Sequence, residues 1–367
     1  MILEVSVHHR LGNFTLDAAF ESKGRLTALF GPSGSGKSSL VNIIGGLVRP
    51  QKGRVVVDGR VLVDTESRVF VPAHRRKIGY VFQDARLFPH LTVSQNLRYG
   101  RFFTPAADRY ADFRAVVELL GIGHLLDRRP ALLSGGEKQR VAIGRALIAS
   151  PKLVLMDEPL AALDDARKAE ILPYIERLRD ETKIPFVYVS HSIAEVGRLA
   201  SDVVAMRQGR VAAAGAAADV LSRMDLLPQA ERGEAGALLD FTVASHDDIF
   251  GITTLRSPGG TWRLPRIAAV VGTVVRARIR ARDVTIATQP VAGLSALNIL
   301  AGRVGEVIHG EGAEGLVRVD CGADRIFARV TRLSIRDLGL VEGKEVYAIV
   351  KAVTFDSANT GARGGTI

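Results

Sequence analysis

Three stretches of this chain carry side chains suited to chemistry on an anion. GPSGSGKS, residues 31–38, follows the apolar run LTALF and precedes the helical run SLVNIIGGL. Gly31, Gly34 and Gly36 let backbone N–H groups close around phosphates, with Pro32, Ser33 and Ser35 completing the loop. Lys37 brings positive charge to the β- and γ-phosphates, and Ser38 offers a hydroxyl to Mg2+. In KLVLMDEP, residues 152–159, an apolar strand ends in Asp157 and Glu158. Two carboxylates then stand at the carboxyl edge of a sheet, where open α/β folds bind ligands. Asp157 would hold Mg2+ through water and Glu158 would polarise an attacking water. LLSGGEKQRVAIGRA, residues 132–146, opens a helix on Ser134, Gly135 and Gly136. Such a start offers N–H donors and a positive dipole end to a second anion. Taken alone, it also reads as an ordinary N-cap with Glu137 in the first turn.

These residues need a sheet to hold them. LTALF (26–30), KLVLM (152–156) and PFVYVS (185–190) are short, apolar and bounded by turn or polar residues, the pattern of buried parallel strands. Between them, residues 108–126 and 164–182 carry apolar spacing of three and four, which predicts helices. The alternation predicts an α/β domain over residues 1–228. PQAERGEAGALLD is polar and small, and residues 229–240 are expected to be a linker. Beyond it, strand-like runs such as FTVAS, TVVRARIRA and GLVRVD alternate with Gly-rich turns, predicting an all-β region of one or two small barrels. A break at Gln289-Pro290 divides it into 241–289 and 290–358, and the tail 359–367 is expected to fray.

Composition narrows the function. Against 39 acidic residues stand 49 Lys and Arg, a net charge of +10, but the basic residues are scattered and read as solvated surface. No nucleic-acid partner is expected. The single cysteine, Cys321, excludes an internal disulfide framework and a cysteine metal cluster, and suits a reducing cytosol. The amino terminus lacks the basic segment and apolar core of a signal peptide. No apolar run approaches the roughly 20 residues that span a bilayer, so a soluble chain is expected.

In order and spacing these motifs resemble those of ABC-transporter ATPase subunits. Gly31–Ser38 matches the Walker A motif, Leu153–Glu158 Walker B and Leu133–Glu137 the signature. Gln83 in VFQD matches the Q-loop, Ala161–Asp164 the D-loop and His191 in YVSHS the switch histidine. The resemblance implies an α/β P-loop ATPase with a helical subdomain. It also implies that two copies pack head to tail, each ATP lying between one copy's Walker A and the other's signature. Gln83 would reach toward Mg2+ and the attacking water, and His191 toward the γ-phosphate. Phe14 is the nearest aromatic for stacking on adenine. The Leu87, Phe88, Pro89 and His90 region, within Arg86–Arg101, would receive a coupling helix of a membrane subunit.

The rest of the chain resembles importer ATPases, and molybdate importers in particular. ARIRARDVTIA, residues 277–287, is similar to a strand of importer regulatory domains, with Arg282 and Asp283 near the matching places. SALNILAGRVGEV and GKEVYAIVK resemble the OB-like molbindin (Mop) barrel, with Ser295, Ala296, Asn298, Gly343–Ala348 and Lys351 matching and Leu297 in place of an arginine. GYVFQDARLFPHLTVSQNLRYG and LSGGEKQRVAIGRAL look like the ATPases of molybdate importers. The resemblance implies an ATP- and Mg2+-dependent homodimer at the cytoplasmic face of the inner membrane. It would power molybdate and tungstate import through permease subunits fed by a periplasmic molybdate-binding protein. Ser295, Asn298 and Lys351 are the candidate oxyanion ligands of a feedback site, with a structural or interface role as the alternative for all three and a turn cap for Asn298. An importer of sulfate, another oxyanion or a polyamine is the alternative. A soluble ATPase acting on DNA or ribosomes is disfavoured, because only about 95 residues separate Lys37 from Leu133, with no extended heptads.

Overall fold

The computed structural model describes residues 3–221, 223, 236–309, 312–352 and, for the backbone alone, 360–362. The chain divides into two units, Met1–Val220 and Leu221–Ile367.

The first unit is built on strands β1 (Leu3–Leu11), β2 (Phe14–Ser22), β3 (Leu26–Phe30), β4 (Lys52–Val57), β5 (Arg60–Asp64), β6 (Val69–Phe70), β7 (Ile78–Val81), β8 (Leu153–Asp157), β9 (Phe186–Ser190), β10 (Asp202–Arg207) and β11 (Arg210–Ala216). They hydrogen-bond in the order β6-β5-β4-β1-β2-β11-β10-β3-β9-β8-β7. From β10 to β7 the neighbours are parallel, whereas β1, β2, β4 and β5 pair antiparallel. The two halves differ because their burial differs. All five residues of β3 and of β9 are buried, which is why those runs are continuously apolar. β2 alternates buried and exposed residues along most of its length, as a strand with one wet face does.

Seven helices accompany this sheet among the described residues: α1 (Lys37–Gly45), α2 (Val93–Phe102), α3 (Phe113–Leu119), α4 (Gly135–Ile148), α5 (Asp165–Glu181), α6 (Ile193–Leu199) and α7 (Ala217–Leu221). The α1 helix buries Leu40, Val41, Ile43 and Ile44 and stops at Gly46, whose φ of 81° no branched residue would adopt cheaply. Arg76 fills the space beyond that glycine. Its Nη1 donates to the carbonyls of Ile43 and Ile44 at 2.8 and 2.7 Å, and its Nε to Val71 at 2.7 Å. Burial lowers its pKa to about 10, so it stays cationic against the negative end of α1. The spacing over 108–126 overstates its helix. Asp112 caps α3 through the Ala115 N–H at 2.8 Å, and Gly121, at φ 61°, ends the segment soon after. The helix expected over 164–182 forms as α5.

The second unit carries β12 (Gly236–Asp247), β13 (Ile252–Ser257), β14 (Gly260–Pro265), β15 (Val274–Arg280), β16 (Val284–Ala287), β17 (Asn298–His309), β18 (Glu314–Cys321), β19 (Asp324–Thr331), β20 (Glu345–Val350) and β21 (Thr360–Ala362), with helix α8 (Arg332–Asp337). Two five-stranded sheets form, β14-β13-β12-β15-β21 and β16-β20-β17-β18-β19. One core fills both: Phe241 and Trp262 meet edge to face, with centroids 5.5 Å apart, in the same cluster as Val304, Val317 and Phe327. Three expected boundaries move. β12 starts at Gly236, within the expected linker, because it pairs with β15 from Arg280 onward. β16 joins β20, so the sheets divide before Val284 and not at Gln289-Pro290. Thr360–Ala362 of the expected tail pairs with β15, while 224–235, 353–359 and 363–367 lie outside the described residues.

Candidate active site

The loop between β3 and α1 is shaped for a phosphate. Gly31, Gly34 and Gly36 have φ of 152°, 76° and 98°. A Cβ on Gly31 would lie 2.2 Å from the Met206 carbonyl, and one on Gly36 3.0 Å from Phe14 Cζ. Gly36 is the N-cap of α1 and brings no side-chain cap, so the N–H groups of Lys37, Ser38 and Ser39 precede the first helical bond, Leu40 N–H to the Gly36 carbonyl at 2.9 Å. Lys37 is buried, and its Nζ donates to the carbonyls of Gly31 and Pro32 at 2.7 and 2.9 Å. Burial lowers its pKa, against the opposing pull of the Glu158 and Asp157 charges. The Ser35 hydroxyl is buried with no hydrogen-bond partner. Such an orphan, in a loop where a Cβ on Gly31 or Gly36 would collide with its neighbours, fits a bound phosphate. Pro32, Ser33 and Gly34 are exposed, and a cleft of about 590 Å³ beside them is walled by Phe14, Arg207 and Arg210.

The carboxylates arrive from β8. Ser38 Oγ donates to Asp157 Oδ1 at 3.0 Å, and Tyr80 lies 3.5 Å from Oδ2 while donating to Asn42 Oδ1 at 2.9 Å. Burial raises the Asp157 pKa, and the Ser38 hydroxyl opposes the rise. Burial, reinforced by the Asp157 charge, also raises that of Tyr80, which therefore remains a donor. One carboxylate and one hydroxyl make the sparse oxygen set that Mg2+ takes when phosphates and waters complete its shell. Glu158 follows at φ 45°, a left-handed conformation costing about 1–3 kcal/mol for a residue with a side chain. Its N–H is held by the Val189 carbonyl at 3.1 Å, and its Oε2 lies 3.6 Å from Nδ1 of His191, just beyond β9. A cation, two carboxylates and an imidazole thus converge on one glycine cradle. That set can bind a polyphosphate and activate a water beside it.

The other expected residues gather elsewhere in the unit. Ser134 caps α4: its Oγ accepts from Glu137 N–H at 3.2 Å, and Glu137 Oε2 accepts from Ser134 N–H at 2.7 Å. The helix start is therefore partly covered by its own side chains. What remains is the exposed Gly135 and the buried Gly136, whose N–H groups precede the first helical bond, Lys138 N–H to the Ser134 carbonyl at 2.9 Å. A Cβ on Gly135 would lie 3.1 Å from Leu163, in the segment that ends at Asp164. Asp164 caps α5, accepting from Arg167 N–H at 2.9 Å. Gln83 is exposed, two residues past β7. Its loop is gripped by α4: Gln139 Nε2 donates to the Phe82 carbonyl at 3.4 Å, and Arg145 donates to the Ala85 and Arg86 carbonyls at 3.0 and 2.8 Å. Sequence reasoning missed Gln139, Arg145 and Tyr80. The first two stand six residues apart in QRVAIGR, about 120° apart around the helix, and share no partner that the sequence shows until the Q-loop folds across them.

In the second unit, Asn298 is fully buried, and its amide pairs with the backbone of Arg263, accepting its N–H at 2.6 Å and donating to its carbonyl at 3.0 Å. It ties β17 to β14, the structural alternative to its expected role as an oxyanion ligand. Ser295 and Leu297 are exposed before β17, and Lys351 is exposed after β20.

The cradle, the carboxylates and the separate helix start define an ABC-type ATP-binding cassette. A model of the ABC transporter family matches residues 17–161, and a TOBE domain model matches residues 294–354. The chain is 64% identical to the molybdenum import ATP-binding protein ModC of Mesorhizobium japonicum, over 99% of this chain and 98% of that protein. It is 57% identical to that of Rhizobium meliloti, over 97% of this chain and all of that protein. Among solved structures, CbiO1 of Clostridium perfringens, part of the ABC transporter complex CbiONQ, superposes with a TM-score of 0.53 at 30% identity, covering 61% of this chain and 92% of that one. The chain belongs to the ABC-transporter ATPases, in the family of molybdenum import ATP-binding proteins.

Proposed function

We propose that this chain hydrolyses ATP to power molybdate import, as the ATPase subunit of an ABC transporter. The observation that carries the reading is the site's completeness, Ser38 on Asp157 and Glu158 beside His191 over one glycine cradle, on a chain alike from end to end to molybdenum import ATPases. Mg2+ would sit between Ser38 and Asp157, with Gln83 reaching toward it. Glu158 would take a proton from the attacking water, and Lys37 and His191 would face the γ-phosphate. A Cβ on the exposed Gly135 would meet Leu163 and one on the buried Gly136 would meet Ile171, so the neighbours of this helix start belong to the D-loop and α5 and not to the phosphate loop. That separation supports a head-to-tail homodimer in which each signature completes the other copy's site.

Among the described residues no helix is long and apolar enough to cross a membrane, and the importer family implies separate permease subunits for the membrane path. Leu87 and Phe88 are half-buried, and the exposed aromatics beside them are Tyr99, Phe102 and Phe103, the last two 80% and 69% exposed. That surface would seat the permease, at the cytoplasmic face of the inner membrane, with a periplasmic molybdate-binding protein delivering cargo from the other side. Tungstate shares the tetrahedral dianion's shape and would follow the same route. Ser295 and Lys351 remain as candidate ligands of a cytosolic oxyanion that slows transport.

Uptake of labelled molybdate into right-side-out vesicles holding the chain and its permease, with ATP inside and the molybdate-binding protein outside, tests the reading. ATP-dependent uptake, lost with Glu158→Gln and outcompeted by tungstate before sulfate, is the expected result. Equal competition by sulfate would favour the general oxyanion importer.

A further inference from the structure

Behind His191 lies a buried carboxylate that the chemistry described so far does not use. Glu195 is 6% exposed. Its Oε2 accepts from the Tyr188 hydroxyl at 2.9 Å and from Ser190 Oγ at 2.8 Å, and its Oε1 lies 3.4 Å from Lys168 Nζ. Ser190 Oγ in turn accepts from the Ser192 N–H at 3.0 Å, and Ser192 Oγ from the Glu195 N–H at 3.4 Å. The bonds close a ring through the residues on either side of His191. Hydrogen bonds in such a ring polarise and stiffen one another where water is excluded. Tyr188 is fully buried, and burial, reinforced by the Glu195 charge, holds its phenol protonated as a donor.

The same carboxylate reaches α5. Lys168 lies one turn beyond Asp164, the cap of that helix. Farther along, Arg198 of α6 grips both oxygens of Glu176 on α5 at 2.8 Å each, and Arg179 Nη1 donates to the carbonyls of Arg198 and Leu199 at 3.1 and 3.2 Å. The helix after the switch loop and the helix after the D-loop are thus joined at both ends.

We propose that Glu195 is the positioning residue for His191: it clamps the backbone around the histidine and ties that loop to the start of α5, so that the imidazole and the D-loop move together. This rests on reading His191 as the γ-phosphate contact. It identifies no new ligand; it assigns the side chain that sets where the histidine stands.

The test is a double-mutant cycle on the full chain, read by single-turnover ATP hydrolysis and by nucleotide affinity. Glu195→Ala is expected to lower the hydrolysis rate about tenfold or more while leaving ATP affinity within about twofold, the split that marks an interaction used in the transition state. Glu195→Gln keeps an acceptor for Ser190 and Tyr188 but loses the charge that holds Lys168, and is expected to restore part of the rate, above Glu195→Ala and below the parent. In a His191→Ala background, Glu195→Ala should add no further loss, because it acts through a side chain no longer present. Melting curves check that each variant folds. If the two losses multiply, or if rate and affinity fall together in proportion to unfolded protein, Glu195 is only a structural residue and the proposal is overturned. If His191→Ala alone leaves the rate intact, the reading of His191 falls first and the proposal with it.

Discussion

The two helix starts proposed to meet anions in this chain are built on opposite plans. At α1 the N-cap is Gly36, in the left-handed region, with no side-chain cap and no acidic residue in the first turn. At α4 the N-cap is Ser134, in extended conformation, closed into a capping box with Glu137. The first start has no stable partner of its own and depends on a ligand to satisfy its donors. The second satisfies two of its donors itself and keeps only the N–H groups of its glycines to offer. A loop that must wrap a triphosphate gives up self-sufficiency. A helix end that meets an anion only when another surface approaches must hold its shape alone in between.

Removing the charge at the open start should have the largest effect. Lys37→Ala leaves the cradle's backbone but no cation for the phosphates, and is expected to lower ATP hydrolysis by about 10²–10³-fold with weakened nucleotide binding. Phosphate release and nucleotide titration measure the two. Hydrolysis within a few-fold of the parent would mean that the backbone donors suffice, and the contrast between the two starts would lose its electrostatic half.

A methyl group separates the two plans more finely. In Gly36→Ala the new Cβ meets Phe14 and Leu16 at 3.0 and 3.1 Å on a backbone at φ 98°, so the loop must move. Hydrolysis is expected to fall about 10²-fold, the usual result of a misplaced catalytic loop, together with a lower melting temperature. Gly136→Ala is the reverse case. Its backbone is helical and its Cβ would touch Ile171 at an ordinary 3.5 Å. The fold should hold or gain up to about 1 kcal/mol from helix propensity. Hydrolysis should nevertheless drop about tenfold, because the methyl crowds an N–H that has to reach a phosphate. Unchanged activity in Gly136→Ala would make the α4 start purely structural and would count against the head-to-tail dimer.

Much of this was legible in sequence, and for physical reasons. Gly31–Ser38 and Leu153–Glu158 are local: spacing alone puts the cradle before a helix and the carboxylates at the end of a buried strand. The capping box at Ser134 and Glu137 is equally local, and its pattern is in the residues. What escaped is what only folding brings together. Arg145 reads as one more charge on a helix until the Q-loop lies across it, and Glu195 as a surface acid until Tyr188 and Ser190 bury it. Asn298 shows the other direction. Its match to a ligand motif is genuine, but the strand that consumes its amide, β14, lies some thirty-five residues earlier and no short-range pattern announces it. Helix extent over 108–126 was overread because apolar spacing continues past Gly121, whereas the backbone does not.

The smallest effect concerns how the closed start of α4 keeps its shape, and its sign follows from the carboxylate. Ser134's N–H donates to Glu137 at 2.7 Å, and that backbone hydrogen bond is the main cause that lowers the Glu137 pKa. A depressed carboxyl pKa means that the ionised form is favoured by folding, so the stabilisation is complete above the ordinary Glu value of roughly 4.3 and is lost as pH falls through the lower folded value. Glu137→Gln keeps a neutral acceptor for the Ser134 N–H but loses the charge at the positive helix end, a difference of about 0.3–1 kcal/mol. The parent should therefore melt about 1–3 °C above the variant near neutral pH. That gap should close on the acid side and vanish once both carry a neutral group at residue 137. A gap that stays constant down to pH 3 would show that shape and not charge holds the box. The α1 start, with no acid in its first turn, should show no such acid-dependent term of its own, so this titration separates the two starts without touching either glycine.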